Sequence, residues 1–120
     1  MKILVVDDSR VMRQIVTRTL RQAGYSGHDV VEACDGRAGY EAAVSEKPDL
    51  VLSDWNMPGM TGVEVLRTLR ADGVQTPFGF VTSEGSDEMR QTALDAGALF
   101  LITKPFTAAS FRDALGPILG

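Results

Sequence analysis

An α/β fold is what this sequence predicts: five parallel strands, doubly wound in the order 2-1-3-4-5, with five helices. Three observations carry that expectation. Short apolar, β-branched runs alternate five times with longer stretches of helical spacing, and strict alternation of this kind implies a parallel sheet with right-handed crossovers. The runs are apolar nearly throughout, as in strands buried on both faces. The 120 residues suit one domain, 1–120, able to bury a core without a disulfide or metal staple.

The first strand reads from Ile3-Leu4-Val5-Val6. In the helix after it, Met12, Ile15, Val16, Thr19, Leu20 and Ala23 recur at three- and four-residue steps and make one apolar stripe, with Gly24 as the stop. Val30-Val31-Glu32-Ala33 forms the second strand and residues 37–46 its helix. Leu50-Val51-Leu52-Ser53 is the third strand. The third helix has the clearest start: Thr61 caps it and Glu64, three residues on, completes a capping box before Val65, Leu66 and Leu69. Gly79-Phe80-Val81-Thr82 and a helix over 87–96 follow. Phe100-Leu101-Ile102-Thr103 and a helix over 108–119, capped by Thr107, close the chain. Cys34 reads as a small hydrophobe at the end of a buried strand, Trp55 as a partly buried packing residue, and His28 as an exposed loop residue.

Composition narrows the function. Apolar residues are 44% and charged residues 23%, and 12 Lys+Arg against 16 Asp+Glu give a net charge of −4, a balance that does not favour nucleic acid. The longest apolar run, Ala96 to Ile102, is far short of the ~20 residues of a membrane span. One cysteine excludes a disulfide framework and a cysteine metal cluster. The expected setting is a cytoplasmic monomer. Neither a Walker A motif nor G-x-G-x-x-G occurs, which removes the usual nucleotide-loop readings.

In a doubly wound sheet the chemistry sits just past the carboxyl ends of the strands. Asp7 and Asp8 follow the first strand and Asp54 the third. Thr82 ends the fourth, and the fifth runs into Lys104. With neighbouring strands ~4.8 Å apart, the three carboxylates converge, and the lysine stem spans most of the remaining distance. Crowded carboxylates call for a cation, and a hard ion with oxygen ligands, Mg²⁺ above all, fits them. A metal, a central carboxylate, a hydroxyl and a lysine suit phosphoryl transfer, with Asp54 as nucleophile. Taken singly, each residue has a plainer reading. Two acids can open a helix, and Asp54 before Asn56, Pro58 and Gly59 can be an ordinary turn. Thr82 can be a strand end and Lys104 solvated surface. The combination is what favours chemistry.

Val5-Val6-Asp7-Asp8, Ser53-Asp54-Trp55-Asn56-Met57-Pro58, Val81-Thr82 and Lys104-Pro105-Phe106 together resemble the receiver domain of bacterial two-component response regulators. The stand-alone chemotaxis receivers are the nearest in look. The resemblance implies a flavodoxin-like fold and a phosphoryl group taken from a sensor histidine kinase or phosphotransfer protein onto Asp54. It implies Mg²⁺ held by Asp8, Asp54 and the backbone carbonyl of Asn56, with Asp7 acting mainly through water. Thr82 and Lys104 take the roles of phosphoryl-sensing hydroxyl and site lysine, the Lys104–Pro105 bond is cis, and Asn56 and Glu84 tune the phosphoryl lifetime. Such a protein catalyses only its own phosphorylation and dephosphorylation. It signals to a downstream protein, the flagellar motor switch among the candidates, through the face made by helix 4, strand 5 and helix 5. No attached output domain is expected.

One position departs from the family pattern. Three residues before the lysine, receivers usually carry Tyr or Phe, and here that residue is Leu101. Phe100 points to the opposite strand face and cannot replace it. Activation is therefore expected to rest on Thr82 and on repacking of helix 4. Rival readings fit less well. A flavin carrier would suffer repulsion between its phosphate and Asp7 and Asp8. An aspartate-nucleophile phosphatase lacks its Asp-x-Asp spacing, and a phosphorylation-silent module would not need the full set of site residues. The GXXG at 59–62 is too short a pattern to argue for nucleic acid.

Overall fold

The computed structural model describes residues 1–119. Its strands are β1 (Lys2–Val6), β2 (Asp29–Ala33), β3 (Leu50–Ser53), β4 (Phe78–Thr82) and β5 (Phe100–Thr103). The helices are α1 (Arg10–Leu20), α2 (Gly36–Ser45), α3 (Gly62–Ala71), α4 (Asp87–Ala96) and α5 (Ala108–Leu119). All strand pairs are parallel, and the order is β2-β1-β3-β4-β5.

Strand alternation builds two cores. Ile3, Val5, Leu50 and Leu52 face one side with Val16 and Leu20 of α1 and Phe111 and Leu115 of α5. Leu4, Val6, Val51 and Phe80 face the other with Leu66 and Leu69 of α3 and Ala93 of α4. Both sides of β1, β3 and β4 are thus covered, and those strands are buried. The edge strand β2 departs from the expected burial. Its residues 29–32 remain exposed or half-exposed, unlike the other edge strand, β5, whose Leu101 and Ile102 are buried.

Capping explains most helix starts. Ser9 accepts a hydrogen bond from Met12 N–H at 3.2 Å and opens α1. Asp35 accepts from Ala38 N–H at 2.8 Å, so α2 begins at Gly36, one residue before the expected start. Thr61 and Glu64 form the expected capping box. Thr107 and Ser110 exchange backbone-to-hydroxyl hydrogen bonds at 3.1 and 3.3 Å at the head of α5. After α1 the chain continues in a wide π-type turn over Arg21–Tyr25 and leaves it through Gly24, whose φ of +101° suits a residue without a Cβ.

Two side-chain expectations are corrected. Cys34 is exposed, because β2 ends at Ala33 and Cys34 already belongs to the turn that leads to Asp35. His28 is half-buried: its ring lies against Tyr25 with centroids 5.8 Å apart. Trp55 is half-buried as expected and packs on Phe80 with centroids 4.8 Å apart.

Candidate functional site

Register brings the acids together. Val6 pairs with Ser53 across β1 and β3, and Asp54 N–H donates to Val6 C=O at 2.8 Å. Asp7 and Asp54 are therefore the next residues on adjacent strands, and each continues the alternation of its strand's inward side chains on the α1/α5 face. Carboxylate oxygens of Asp7, Asp8 and Asp54 lie within 4.8 Å of one another. Asp7 and Asp54 are buried, while Asp8 is exposed.

Each buried acid is held in place. Asp7 Oδ1 accepts from Ser9 N–H at 2.9 Å, and Oδ2 accepts from Lys104 Nζ at 3.2 Å. Asp54 Oδ1 accepts from Trp55 N–H at 2.8 Å, and Oδ2 stands 3.6 Å from Lys104 Nζ. Burial pushes the Asp54 carboxyl above the ordinary carboxylate range. Lys104 and the Trp55 N–H hold it back, and Asp7 and Asp8 push it further up. Hard oxygen donors with an excess of negative charge fit Mg²⁺ better than a soft metal.

Lys104 reaches this cluster from the far side of the sheet. Thr82 pairs with Thr103 across β4 and β5, and Lys104 N–H donates to Thr82 C=O at 2.8 Å. The Lys104–Pro105 bond is cis, as the resemblance implies. Thr82 is fully buried, and its Oγ1 accepts a long 3.4 Å hydrogen bond from Glu84 N–H. Asn56 is exposed in the turn after Asp54.

Three residues that sequence reasoning passed over complete the frame. Arg13 donates to Asp7 C=O at 2.7 Å and to Glu32 Oε1 at 2.9 Å, fastening α1 to the end of β1. Arg13 stands next to Met12 at the edge of the apolar stripe of α1, and it is half-buried there. Ser53 donates to Asp54 C=O at 2.8 Å from a fully buried position. Gly62 donates to Trp55 C=O at 2.8 Å, and a Cβ there would strike Asp54 C=O. The second glycine of the 59–62 segment thus serves a close approach of α3 to Asp54, not a nucleic-acid loop.

Comparison with known proteins agrees with this geometry. The family described as "Response regulator receiver domain" matches residues 3–116. The chain is 41% identical over 123 residues to "Chemotaxis protein CheY1" of Helicobacter pylori (strain J99 / ATCC 700824), covering 100% of this chain and 98% of that protein. It is 40% identical over 120 residues to "Chemotaxis protein CheY-3" of Vibrio cholerae serotype O1, covering 98% of this chain and 91% of the other. Among solved structures, the chemotaxis protein CheY4 of Vibrio cholerae superimposes with a TM-score of 0.85 at 38% identity, covering 98% of each chain.

Proposed function

The chain belongs to the response regulator receiver family, and on that premise we propose that it is a phosphorylation-activated signalling protein whose phosphoacceptor is Asp54. One observation carries the reading: Asp7, Asp8 and Asp54 offer oxygens within 4.8 Å of one another, and Lys104 Nζ stands 3.6 Å from Asp54 Oδ2. An Asp54 carboxylate oxygen supplies the electron pair that forms the new bond to phosphorus. The P–N bond of a phosphohistidine donor breaks, and the departing imidazole keeps that bond's electrons and takes up a proton. The result is an acyl phosphate on Asp54.

Asp8, Asp54 and the backbone carbonyl of Asn56 would hold Mg²⁺ directly. Asp7 would act through water, its oxygens already engaged by Ser9 N–H and Lys104. When bound, Mg²⁺ supplies the positive charge that offsets both the crowded carboxylates and the transferred phosphoryl oxygens. Lys104 would bind one of those oxygens in exchange for its contact with Asp54, and Thr82 would hydrogen-bond another. Hydrolysis of the acyl phosphate on the same site returns the protein to its resting form, with Asn56 and Glu84 setting the rate. Turnover of an external substrate is no part of this reading.

The donor is a sensor histidine kinase or a phosphotransfer protein. The output is a protein contact on the face of α4, β5 and α5, with the flagellar motor switch as a candidate target and the cytoplasm as the setting. The names of the CheY relatives favour chemotaxis. No helix among the described residues is long and apolar enough to cross a membrane.

Incubating the chain with acetyl phosphate and Mg²⁺ tests the reading. Mass spectrometry should show one added phosphoryl group, labile to base, and Asp54→Asn should remove it. Equal labelling of that variant would place the nucleophile elsewhere and overturn the assignment.

A further inference from the structure

The first carbonyl beyond β1 is held by a side chain. The strand ends at Val6, and Asp7 N–H still donates to Ala33 C=O at 3.1 Å. The Asp7 carbonyl, past the end of the ladder, accepts instead from Arg13 Nη1 of α1 at 2.7 Å. The Arg13 side chain retains only 13% of its exposure, and its Nε donates to Glu32 Oε1 of β2 at 2.9 Å. A guanidinium is planar and holds its donors in a fixed relation, so the carboxylate that meets Nε also sets where Nη1 points. Arg13 therefore bridges the edge strand to the peptide that follows β1.

That peptide delivers one of the acids. The Asp7 carbonyl and the Asp8 N–H belong to a single planar unit, so a grip on the carbonyl fixes the direction in which the chain presents Asp8. The two acids differ in their other restraints. The Asp7 carboxylate is held by Ser9 N–H and Lys104 Nζ. Asp8 is exposed, and among the described residues it forms no ion pair. The placement of Asp8 thus depends on its backbone.

We propose that Arg13, aligned by Glu32, is a positioning residue for the cation site, acting through the Asp7–Asp8 peptide to present Asp8 beside Asp54. The inference rests on Asp8 and Asp54 being Mg²⁺ ligands. Charge alone argues the other way. A guanidinium near the carboxylates repels a metal ion, so by charge its loss would strengthen Mg²⁺ binding, and loss of the Glu32 carboxylate would weaken it. A positioning role reverses the first sign. For Glu32 it makes the acceptor oxygen matter and not the charge.

Titrating the ¹⁵N-labelled chain with Mg²⁺ at fixed ionic strength tests this without a phosphoryl donor. The Ser9 and Trp55 amides, which donate to Asp7 Oδ1 and Asp54 Oδ1, report the site directly. Arg13→Ala should weaken Mg²⁺ binding by about tenfold or more, the scale of losing a group that orients a metal ligand. Glu32→Ala should weaken it less, and Glu32→Gln, which keeps the acceptor oxygen, should bind like the wild type. The double variant Arg13→Ala/Glu32→Ala should lose no more than Arg13→Ala alone, because Glu32 acts only through the guanidinium. Glu32 is exposed on an edge strand, so its two variants decide the matter even if Arg13→Ala fails to fold. Wild-type affinity in Arg13→Ala or Glu32→Ala, equal losses in Glu32→Ala and Glu32→Gln, or additive losses in the double variant would each overturn the proposal. Wild-type Ser9 and Trp55 amides that ignore Mg²⁺ would overturn the metal assignment itself, and this inference with it.

Discussion

The carboxyl edge of the sheet is built on opposite terms in its two halves. At the ends of β1 and β3, both oxygens of Asp7 and both of Asp54 face a protein N–H or the Lys104 ammonium, at 2.8 to 3.6 Å. At the ends of β4 and β5 the polar ties are sparse. Thr82 Oγ1 has only the 3.4 Å acceptance from Glu84 N–H among the described residues. The Leu101 backbone carbonyl is held by Arg90 at 2.9 Å, but its side chain is held by packing alone. A group fixed by several charged contacts keeps its place when a ligand arrives, whereas one held by a single long hydrogen bond shifts cheaply. The first half is therefore suited to receiving a phosphoryl group, and the second to reporting it.

Removing the cation should break the firm half most severely. The side chains of Asp7 and Asp54 retain 5% and 11% of their exposure, and that of Lys104 retains 16%. Lys104→Ala leaves two buried carboxylates without their counter-charge. The expected cost is roughly 2–3 kcal/mol without divalent metal, below the ~3–5 kcal/mol of a fully buried pair because water reaches the lysine. Phosphoryl uptake from acetyl phosphate should fall with it. Urea unfolding under chelation measures the first effect. A loss under about 0.5 kcal/mol would mean that solvent already screens the cluster.

A gentler probe of the same half is proton uptake. Burial raises the Asp54 carboxyl in the folded state, so the folded protein binds that proton more tightly than the unfolded chain. The metal-free protein is then favoured below the ordinary carboxylate range and loses that contribution as pH rises through the elevated Asp54 range. Asp54→Asn removes the titration, so the decline should flatten and the variant should be the more stable of the two at neutral pH. Unfolding curves at a series of pH values, with chelator, decide it. Parallel pH profiles for the two proteins would show that Asp54 feels no net penalty.

The contrast also marks what the sequence made legible. Strand ends were readable because β-branched runs stop at charged or small residues. The convergence of Asp7, Asp8, Asp54 and Lys104, with Thr82 on the same edge, followed once alternating strands and helices implied one shared edge. The contact of Lys104 with Asp7 was not readable, since it depends on how far a flexible stem extends across β3 and β4. Arg13 was hidden by the apolar stripe reading of α1, which sorts residues into inside and outside and has no place for a side chain that lies along the rim. Cys34 was misplaced because β2 was taken for a strand buried to its end, although it is a half-exposed edge and the chain turns outward after Ala33, and His28 by the assumption that a polar loop is a wet one. Such errors cluster at element ends, where the period that guides the reading stops.

The smallest expected effect concerns the loose half, at the position where family members usually carry an aromatic residue. Leu101 is 8% exposed, packs with Phe80 and Ala93, and borders a surface groove of about 200 Å³ between Arg90, Leu94 and Phe100. Phe100 belongs to the opposite core and cannot swing into that role. A leucine here has one favourable place, inside. In Leu101→Tyr the ring turned inward overfills the core at a cost of about 1–3 kcal/mol. Turned outward, it fills the groove and keeps its hydroxyl wet. Two placements of comparable free energy would couple the position to Thr82, if Thr82 moves toward the phosphoryl group as proposed above and so vacates space beside it. With acetyl phosphate and Mg²⁺, wild-type amide shifts should concentrate in residues 82–89 and fade by β5. In the variant they should extend through 100–105, at several times the wild-type amplitude. Wild-type shifts already large across β5, and unaltered by the substitution, would show that leucine transmits the change as well as an aromatic ring.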